Sequence, residues 1–424
     1  MIRKIQTIDD KTSCYYIGIS LLLALMFLGV YVAVMSYVES MEILEFHISI
    51  PWTMMISTYV FFVSSSIGLC IVASLGHVFA LKRYKVISKR AVFLAVITII
   101  FGMLYVLLHL GHPERAPLYT TFTPNLRSAM WGMGFFYNLY IPLIMLTCWL
   151  LIRNDLSVAA NNSTGLKRTV YSLASGEKWL KPYNLGKLGL ERIVGLLALV
   201  FGLLAMAVEG SLFGHVEARP YWYGAFTPVY FVFSAIPLGI AWLLFMTIIT
   251  YKFKGEGLGE KLKRILFELA WLLIIFLSVS SLFMAYKIDI AMGDPMKVKT
   301  MLLLLNGPLS IPFWLFEIAI GTFIPIAVLL VAIKKESLNG LLIAALMVLV
   351  GAFVMKYNFI VAGQVFPVFE KAPLMFPAFV EILLVAGISG AFFFVYTFAV
   401  KFLPLDEKAP GHVPLGAKGG GDSD

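Results

Sequence analysis

The stretch HLGHPERAPLYTTFTPNLRSAMW, residues 109–131, places His109, His112, Glu114, Arg115, Arg127 and Ser128 between two strongly apolar runs. Further along, EGSLFGHVEARPYWYGAFTP, residues 209–228, repeats that vocabulary with Glu209, His215, Glu217, Arg219, Tyr221 and Trp222. His109 and His112 are three apart, so they share one face of any helix that persists that far. Histidine and glutamate can relay protons near neutral pH. Arginine and histidine donate hydrogen bonds to carbonyl oxygens, and tyrosine and tryptophan line flat apolar rings. A quinone head group calls on all three properties: its carbonyls need donors, its reduction consumes protons, and its ring needs a planar apolar slot. His109, Glu209 and His112 are the candidates for the proton chemistry. Arg115, Arg127, Ser128, His215, Glu217, Arg219, Tyr221 and Trp222 are the candidates for binding.

Each choice has a plainer rival. His109 at a helix end can bond a backbone carbonyl, Arg127 and Arg219 can meet lipid head groups, and Trp222 can belong to an interfacial aromatic belt. Metal chemistry is weakly supported. Cys14, Cys70 and Cys148 lie singly on different apolar runs, without the close spacing of iron–sulfur ligation, and read as small packing residues. His47 sits in an acidic loop, His412 in a polar Gly/Pro tail, and His77 at the opposite end of its run. Only His109, His112 and His215 share a level, so one bis-histidine haem is conceivable, but the neighbouring Glu and Arg suit a polar organic ligand better. The expectation is no haem, no iron–sulfur cluster and no metal in this chain.

The elements that must position these residues follow from composition. The 424 residues are 60% hydrophobic and 13% charged, half the charged share of an ordinary soluble domain. Ten apolar runs are long enough to span a bilayer: about 15–38, 54–81, 91–110, 130–152, 192–213, 229–251, 265–286, 311–333, 338–361 and 375–402. Each is expected to be helical, because a lone strand in lipid leaves backbone groups unpaired. The first run has no small-residue cleavage site and is read as a retained helix. The net charge of +9 does not point to nucleic acid, because the charges are sorted by side. With a cytoplasmic N-terminus, 25 of the 33 Lys and Arg fall on inner segments, including Lys82, Arg83, Lys85, Lys252, Lys254, Lys334 and Lys335. The other eight, including Lys287 and Lys356, fall on the outer side. The positive-inside rule then puts both termini in the cytoplasm and both polar clusters outside, at the periplasmic face of a bacterial inner membrane.

The chain also hints at duplication. GHPERAP…FTPNLRSAMW before the fourth run and GDPMKVKTMLLLLNGPLSIPFW, residues 293–314, share a G-x-P start, a basic residue, an Asn/Pro/Leu/Ser turn and a closing Trp. Two four-helix bundles follow, residues 54–213 with the quinone site and residues 229–361 as a structural counterpart. They are flanked by residues 1–53 and by the last helix, 375–402, with a cytoplasmic tail, 403–424. The inner loop 153–191 and the tail carry no periodic pattern and read as surface segments.

Ionisable groups inside a membrane are functional candidates by default. Glu39, Glu317 and Glu381 qualify, each with a rival reading as a helix-pairing or snorkelling carboxylate. If quinone protons come from the cytoplasm, a polar path must cross the membrane. Ser64, Ser65 and Ser66 with His77 on the second run, and Glu268 on the seventh, are its candidates, although the serines can equally bond their own backbone.

HLGHPERA…FTPNLRSAMWGMGFF resembles the helix 3–4 signature of the NrfD/PsrC family of polysulfide-reductase-type membrane subunits. GHVEARPYWYGAFTPVYFVFSAIPLG, FWLFEIAIGTFIPIAVLL and NFIVAGQVFP are similar to that family's later helices. The resemblance covers about residues 55–400, and ten helices resemble the family's longer branch. It implies an all-α integral membrane fold with two four-helix bundles, no cofactor of its own, and menaquinone or ubiquinone bound as substrate near the periplasmic face. It also implies a periplasmic iron–sulfur subunit docked above the first bundle, with a molybdopterin-oxidoreductase-like subunit or multihaem cytochrome c among the partners. Carried over residue by residue, His109, His112, Arg115, Arg127 and Ser128 match the helix 3–4 motif. Glu209, His215, Glu217 and Arg219 match the helix 5 motif. The expectation is a quinone oxidoreductase subunit, with menaquinone reduction preferred over quinol oxidation and turnover that can move charge or protons. A secondary transporter would gather its polar groups near the midplane at broken helices, whereas these gather at one face. A purely structural anchor would not need the clusters.

Overall fold

The computed structural model describes residues 9–38, 50–110, 112–176, 189–255, 257–365 and 377–405. Glu39, His47 and His412 lie outside the described residues, as do the side chain of Cys14 and most of the tail. Among the described residues the regular elements are helical, and ten helices are long and apolar enough to cross a membrane. The chain is an all-α integral membrane protein.

The spans are α1 (Asp9–Val38), α2 (Met54–His77), α3 (Lys85–His109), α5 (Ala129–Asn161), α7 (Leu190–Gly214), α8 (Phe226–Lys254), α9 (Glu260–Met292), α12 (Leu338–Val365) and α13 (Phe379–Phe402). The eighth span, in chain order, is a π-helix (Pro312–Phe323) running into α11 (Ile324–Lys334). Pro325 lacks an N–H and falls where the register returns to α. Short helices α4 (Arg115–Phe122) and α10 (Pro295–Leu305) lie between α3 and α5 and between α9 and the π-helix. Residues 109–131 and 209–228 lie at one end of the spans, here the cluster end; Lys82 and Lys334 lie at the other, the basic end.

The segment 153–191 differs from its patternless expectation. Helix α5 continues to Asn161, and α6 (Gly165–Ser175) follows, stopped by the left-handed Gly176. Exposed Leu166, Val170 and Leu173 line one face of α6, so the apolar spacing belongs to a short amphipathic helix.

Helix α2 is buried along nearly its whole length. It packs on α3, α7 and α8, while α5 packs on α7. The other half mirrors this, with α8 against α9 and α12, and α12 against the π-helix and α11. The halves meet where α2 crosses α8 at Gly68 and Gly239. A Cβ on Gly239 would lie 2.0 Å from the Gly68 carbonyl carbon, so only glycine allows the backbones to touch. Helices α1 and α13 pair with each other on the flank, and α13 also touches α3.

The two motifs that suggest a duplication hold a similar local contact. Trp131 Nε1 donates to the Thr120 carbonyl of α4 at 3.0 Å, and Trp314 Nε1 donates to the Leu305 carbonyl of α10 at 3.0 Å. Each tryptophan closes the short helix before its own span.

Candidate functional site

Glu209 lies on α7, five residues before Gly214, hence roughly 7.5 Å inside the cluster end at ~1.5 Å per residue. Its side chain is fully buried, at 0% exposure. Tyr137 of α5 donates its hydroxyl to Oε2. Tyr59 of α2 faces the same carboxylate, while its hydroxyl is directed at Met133 Sδ, 3.5 Å away. Oε1 is left with no hydrogen-bond partner. A buried carboxyl oxygen without a partner is costly in a purely structural setting, and it is the geometry of a group that meets a ligand or gains and loses a proton.

The other predicted residues separate into three groups. His109 is the last residue of α3 and partly buried. His112 Nδ1 lies 3.2 Å from Glu114 Oε1, and Arg115 Nε lies 3.8 Å from that same oxygen, all exposed on the cluster-end surface. Arg127 is exposed in the turn before α5, and Ser128 caps that helix by accepting from the Trp131 N–H at 3.2 Å. The second group pins down a loop. Arg219 donates to the Gln364 carbonyl at the end of α12. Gln364 in turn holds both the N–H (3.0 Å) and the carbonyl (2.6 Å) of Trp52. Trp222 stacks on Trp52 at 5.9 Å and donates to the Phe359 carbonyl at 2.8 Å. Arg219 and Trp222 are thus engaged in closing the loop over the helix ends. His215 Nδ1 bonds the Ser211 carbonyl of its own helix at 2.7 Å, and Glu217 is exposed beside Tyr223. Tyr221, by contrast, lines a pocket of about 430 Å³ with Lys287 and Lys297. Burial raises its phenol well above the ordinary value, so it stays a neutral donor.

The third group holds the candidates for an inward path. Ser65 donates to the Phe61 carbonyl and accepts from Trp242, and Ser66 donates to the Ala95 carbonyl at 2.7 Å beside the Tyr140 hydroxyl at 2.9 Å. Ser64 Oγ is buried without a partner. His77 Nδ1 bonds the Ala73 carbonyl of its own helix at 2.8 Å. Glu268 pairs with Arg83 at 3.3 Å and Arg264 at 3.6 Å near the basic end. Helix α2 therefore holds the three serines in its middle and His77 at its end, while Glu268 belongs to a surface ion cluster.

Sequence reasoning singled out Glu317 but missed Lys356 and Lys287. Lys356, counted with the outer charges, is 1% exposed in the interior of α12 and donates to Ser234 Oγ at 2.9 Å. It interacts electrostatically with both Glu209 and Glu317. Glu317, on the π-helix and 6% exposed, accepts from Asn358 Nδ2 at 2.9 Å. Lys287, also counted as an outer-loop charge, lies within α9, its Nζ 3.7 Å from the centre of the Tyr221 ring. The signal available was the rule that intramembrane charges count; Lys356 already lay inside its run, 338–361, and only Lys287 needed a helix end placed further out, at Met292. Glu381 is settled differently: its carboxylate accepts from the Met55 N–H at 2.7 Å and the Thr53 hydroxyl at 2.6 Å, capping α2. Among the described residues no cluster of His, Cys, Asp and Glu could hold a metal ion. Cys70 and Cys148 are buried and free.

Fold and site define a polytopic helical membrane protein with buried ionisable groups near one face. The family described as polysulphide reductase, NrfD, matches residues 42–368, and the chain belongs to that family. It is 27% identical to a selenate reductase subunit of Mesobacillus selenatarsenatis, over 84% of this chain and 86% of that one. It is 25% identical to the Hdr-like menaquinol oxidoreductase integral membrane subunit of Archaeoglobus fulgidus, over 85% of this chain and 82% of that one. Protein NrfD of Escherichia coli is 24% identical over 74% of this chain and 96% of its own length.

Proposed function

We propose that this chain is the quinone-reactive membrane subunit of a respiratory reductase complex, with Glu209 as the proton partner of the quinone. The observation that carries this reading is the buried carboxylate itself, held by Tyr137 on one oxygen and open on the other. Relatives named as selenate reductase and menaquinol oxidoreductase subunits support a redox complex, and the second supports menaquinone over ubiquinone. His109, partly buried at the end of α3, is the donor for a quinone carbonyl. Glu209 exchanges the proton that accompanies the electron pair. The exposed surface of His112, Glu114, Arg115 and Arg127 is the docking face for an electron-carrying partner, an iron–sulfur subunit with a molybdopterin-type subunit or multihaem cytochrome c behind it. Menaquinone reduction is the preferred direction.

The cluster end faces the periplasm in this reading, on the strength of the 25 to 8 split of basic residues. Reporter fusions after Lys85 and after Pro117 should signal inside and outside respectively, and the same side for both would end the assignment. For the site, His109→Gln and Glu209→Gln should each lower quinone-analogue turnover about 100-fold or more, the usual contribution of a positioned acid or base, while the complex still assembles. Normal turnover in both variants would move the site elsewhere. Transport without redox chemistry is the rival, and turnover with a quinone analogue separates the two.

A further inference from the structure

The flank of the molecule holds a pocket that the quinone reading does not use. Helices α1 and α13 pair with each other, and the space they leave against α8 measures about 560 Å³. That is within the roughly 300–1,000 Å³ of pockets that hold small organic ligands. It lies at the basic end, opposite to the end where Glu209 sits. Its walls are apolar side chains such as Leu22 of α1, Phe245 and Ile249 of α8, and Phe393 of α13. Two exposed ammonium groups stand at its mouth, Lys254 as the last residue of α8 and Lys401 one residue before the end of α13. Lys254 follows Phe245 by nine residues, about 13.5 Å of helix at ~1.5 Å per residue. The depth is close to one leaflet of a hydrocarbon core roughly 30 Å thick. The hydroxyls inside the pocket are already engaged. Thr250 Oγ1 donates to the Met246 carbonyl at 2.6 Å, and the Tyr396 hydroxyl donates to the same carbonyl at 3.3 Å while accepting from buried Arg90 at 2.9 Å. A quinone head needs donors for its carbonyls, and these hydroxyls have no hydrogen to spare. An acyl chain needs none. A neighbouring helix marks the same level. Tyr171 of α6 donates its hydroxyl to the Phe402 carbonyl at 3.0 Å, which ties α6 beside Lys401. Exposed Leu166, Val170 and Leu173 form one face of α6, and Lys167 and Arg168 are exposed with them. An apolar face with basic neighbours is the pattern of a helix lying in the headgroup region.

We propose that this pocket binds one anionic phospholipid, an acyl chain lying between α1, α8 and α13 and the phosphate resting against Lys254 and Lys401. Both lysines have other contacts of their own, but an ammonium carries three donors and can hold a phosphate oxygen as well. Two cations at one rim attract a headgroup of net negative charge, whereas a zwitterionic headgroup brings a positive charge to the same place. The occupant has a structural role. Helix α1 touches the rest of the protein chiefly through α13, so a lipid seated against α8 fastens the flanking pair to the second bundle. Gly18 of α1 also lines the pocket, and a Cβ there would meet nothing within 4 Å. A larger side chain at that position therefore enters the slot without pressing on the fold.

The test uses the intact complex, delipidated in neutral detergent and titrated with phosphatidylglycerol or phosphatidylcholine of the same acyl composition. Native mass spectrometry counts the bound lipid. Phosphatidylglycerol should fill one site per chain at least about tenfold more tightly than phosphatidylcholine, the scale expected of two lysines beside an anionic headgroup. Lys254→Gln combined with Lys401→Gln should bring the two lipids to within about threefold of each other. Lys254→Arg combined with Lys401→Arg keeps both charges and should keep the preference. Gly18→Trp leaves the charges in place but fills the slot, so it should lose the tight phosphatidylglycerol site. In thermal unfolding, phosphatidylglycerol should raise the Tm of the unaltered complex more than that of Gly18→Trp. Equal binding of the two lipids to the unaltered complex would overturn the proposal, as would a preference that survives in the double glutamine variant. Full binding in Gly18→Trp would put the lipid elsewhere. Displacement of phosphatidylglycerol by inorganic phosphate alone, or by a menaquinone analogue, would make this an anion site or a quinone pocket and would equally refute it.

Discussion

The bundle of α2, α3, α5 and α7 and the bundle of α8, α9, α11 and α12 use one packing scheme for two kinds of interior. Each has a short helix closed by a tryptophan, Trp131 over α4 and Trp314 over α10, and each contributes one glycine to the central crossing, Gly68 and Gly239. In the first bundle the buried carboxylate Glu209 sits among tyrosines, and the buried cations Arg90 and Arg153 lie apart from it, on α3 and α5 toward the basic end. In the second, Glu317 shares the interior with Lys356 and Lys287. The second bundle lacks the histidine and glutamate motif, which made it look like scaffolding. Its interior has charges of its own instead, placed on other helices. Packing constrains backbone distance and side-chain volume, so a scaffold can be kept while the polar groups inside it change.

The largest expected effect tests the shared scheme itself. Gly239→Val drives a side chain into the α2 backbone, so the two halves cannot meet, and folded protein should be lost in size-exclusion profiles of detergent extracts. A well-folded Gly239→Val protein would mean that the crossing is looser than the 2.0 Å clash of an added Cβ implies. Next in size is Lys356→Met, which removes a buried cation of the second bundle that interacts electrostatically with Glu209 of the first. Leaving a buried ion pair half-made costs roughly 3 kcal/mol or more, so thermal unfolding should drop well below the unaltered protein and turnover should fall with it. An unchanged melting temperature would show that the two interiors are electrostatically independent.

Removing one tryptophan hydrogen bond at a time sharpens the comparison. Trp131→Phe and Trp314→Phe should cost similar stability, about 1 kcal/mol each, but only Trp131→Phe should also lower quinone turnover, because α4 and α5 border the proposed site. Equal turnover losses would spread the site over both bundles. The smallest expected change is in Glu381→Gln. It keeps an acceptor for the Met55 N–H and loses only the charge at the helix N-terminus, which contributes about 0.3–1 kcal/mol. A collapse of turnover in that variant would move Glu381 from cap to proton chemistry.

Much of this was legible in the sequence because it depends on averages along the chain. Ten spans follow from hydropathy, since a bilayer accepts only segments whose backbone bonds are satisfied internally, and the runs containing Glu209 and His109 place both residues at helix ends by position alone. The amphipathic α6 was missed because its apolar spacing is short and lies within a polar loop. Lys287 read as an outer charge because its run was ended at residue 286, several residues before the helix stops at Met292, and Lys356 because it lay five residues from the outer end of the run 338–361, in a helix that continues to Val365. Which segments span the membrane as helices was therefore determined by the sequence. Only tertiary structure decided that Lys356 is buried against Ser234, that Glu381 caps α2 across 326 residues of chain, and that Arg219 and Trp222 close a loop. Those outcomes depend on which helices touch and at what rotation, and the glycine contacts and distant hydrogen bonds that set them leave no periodic trace along the chain.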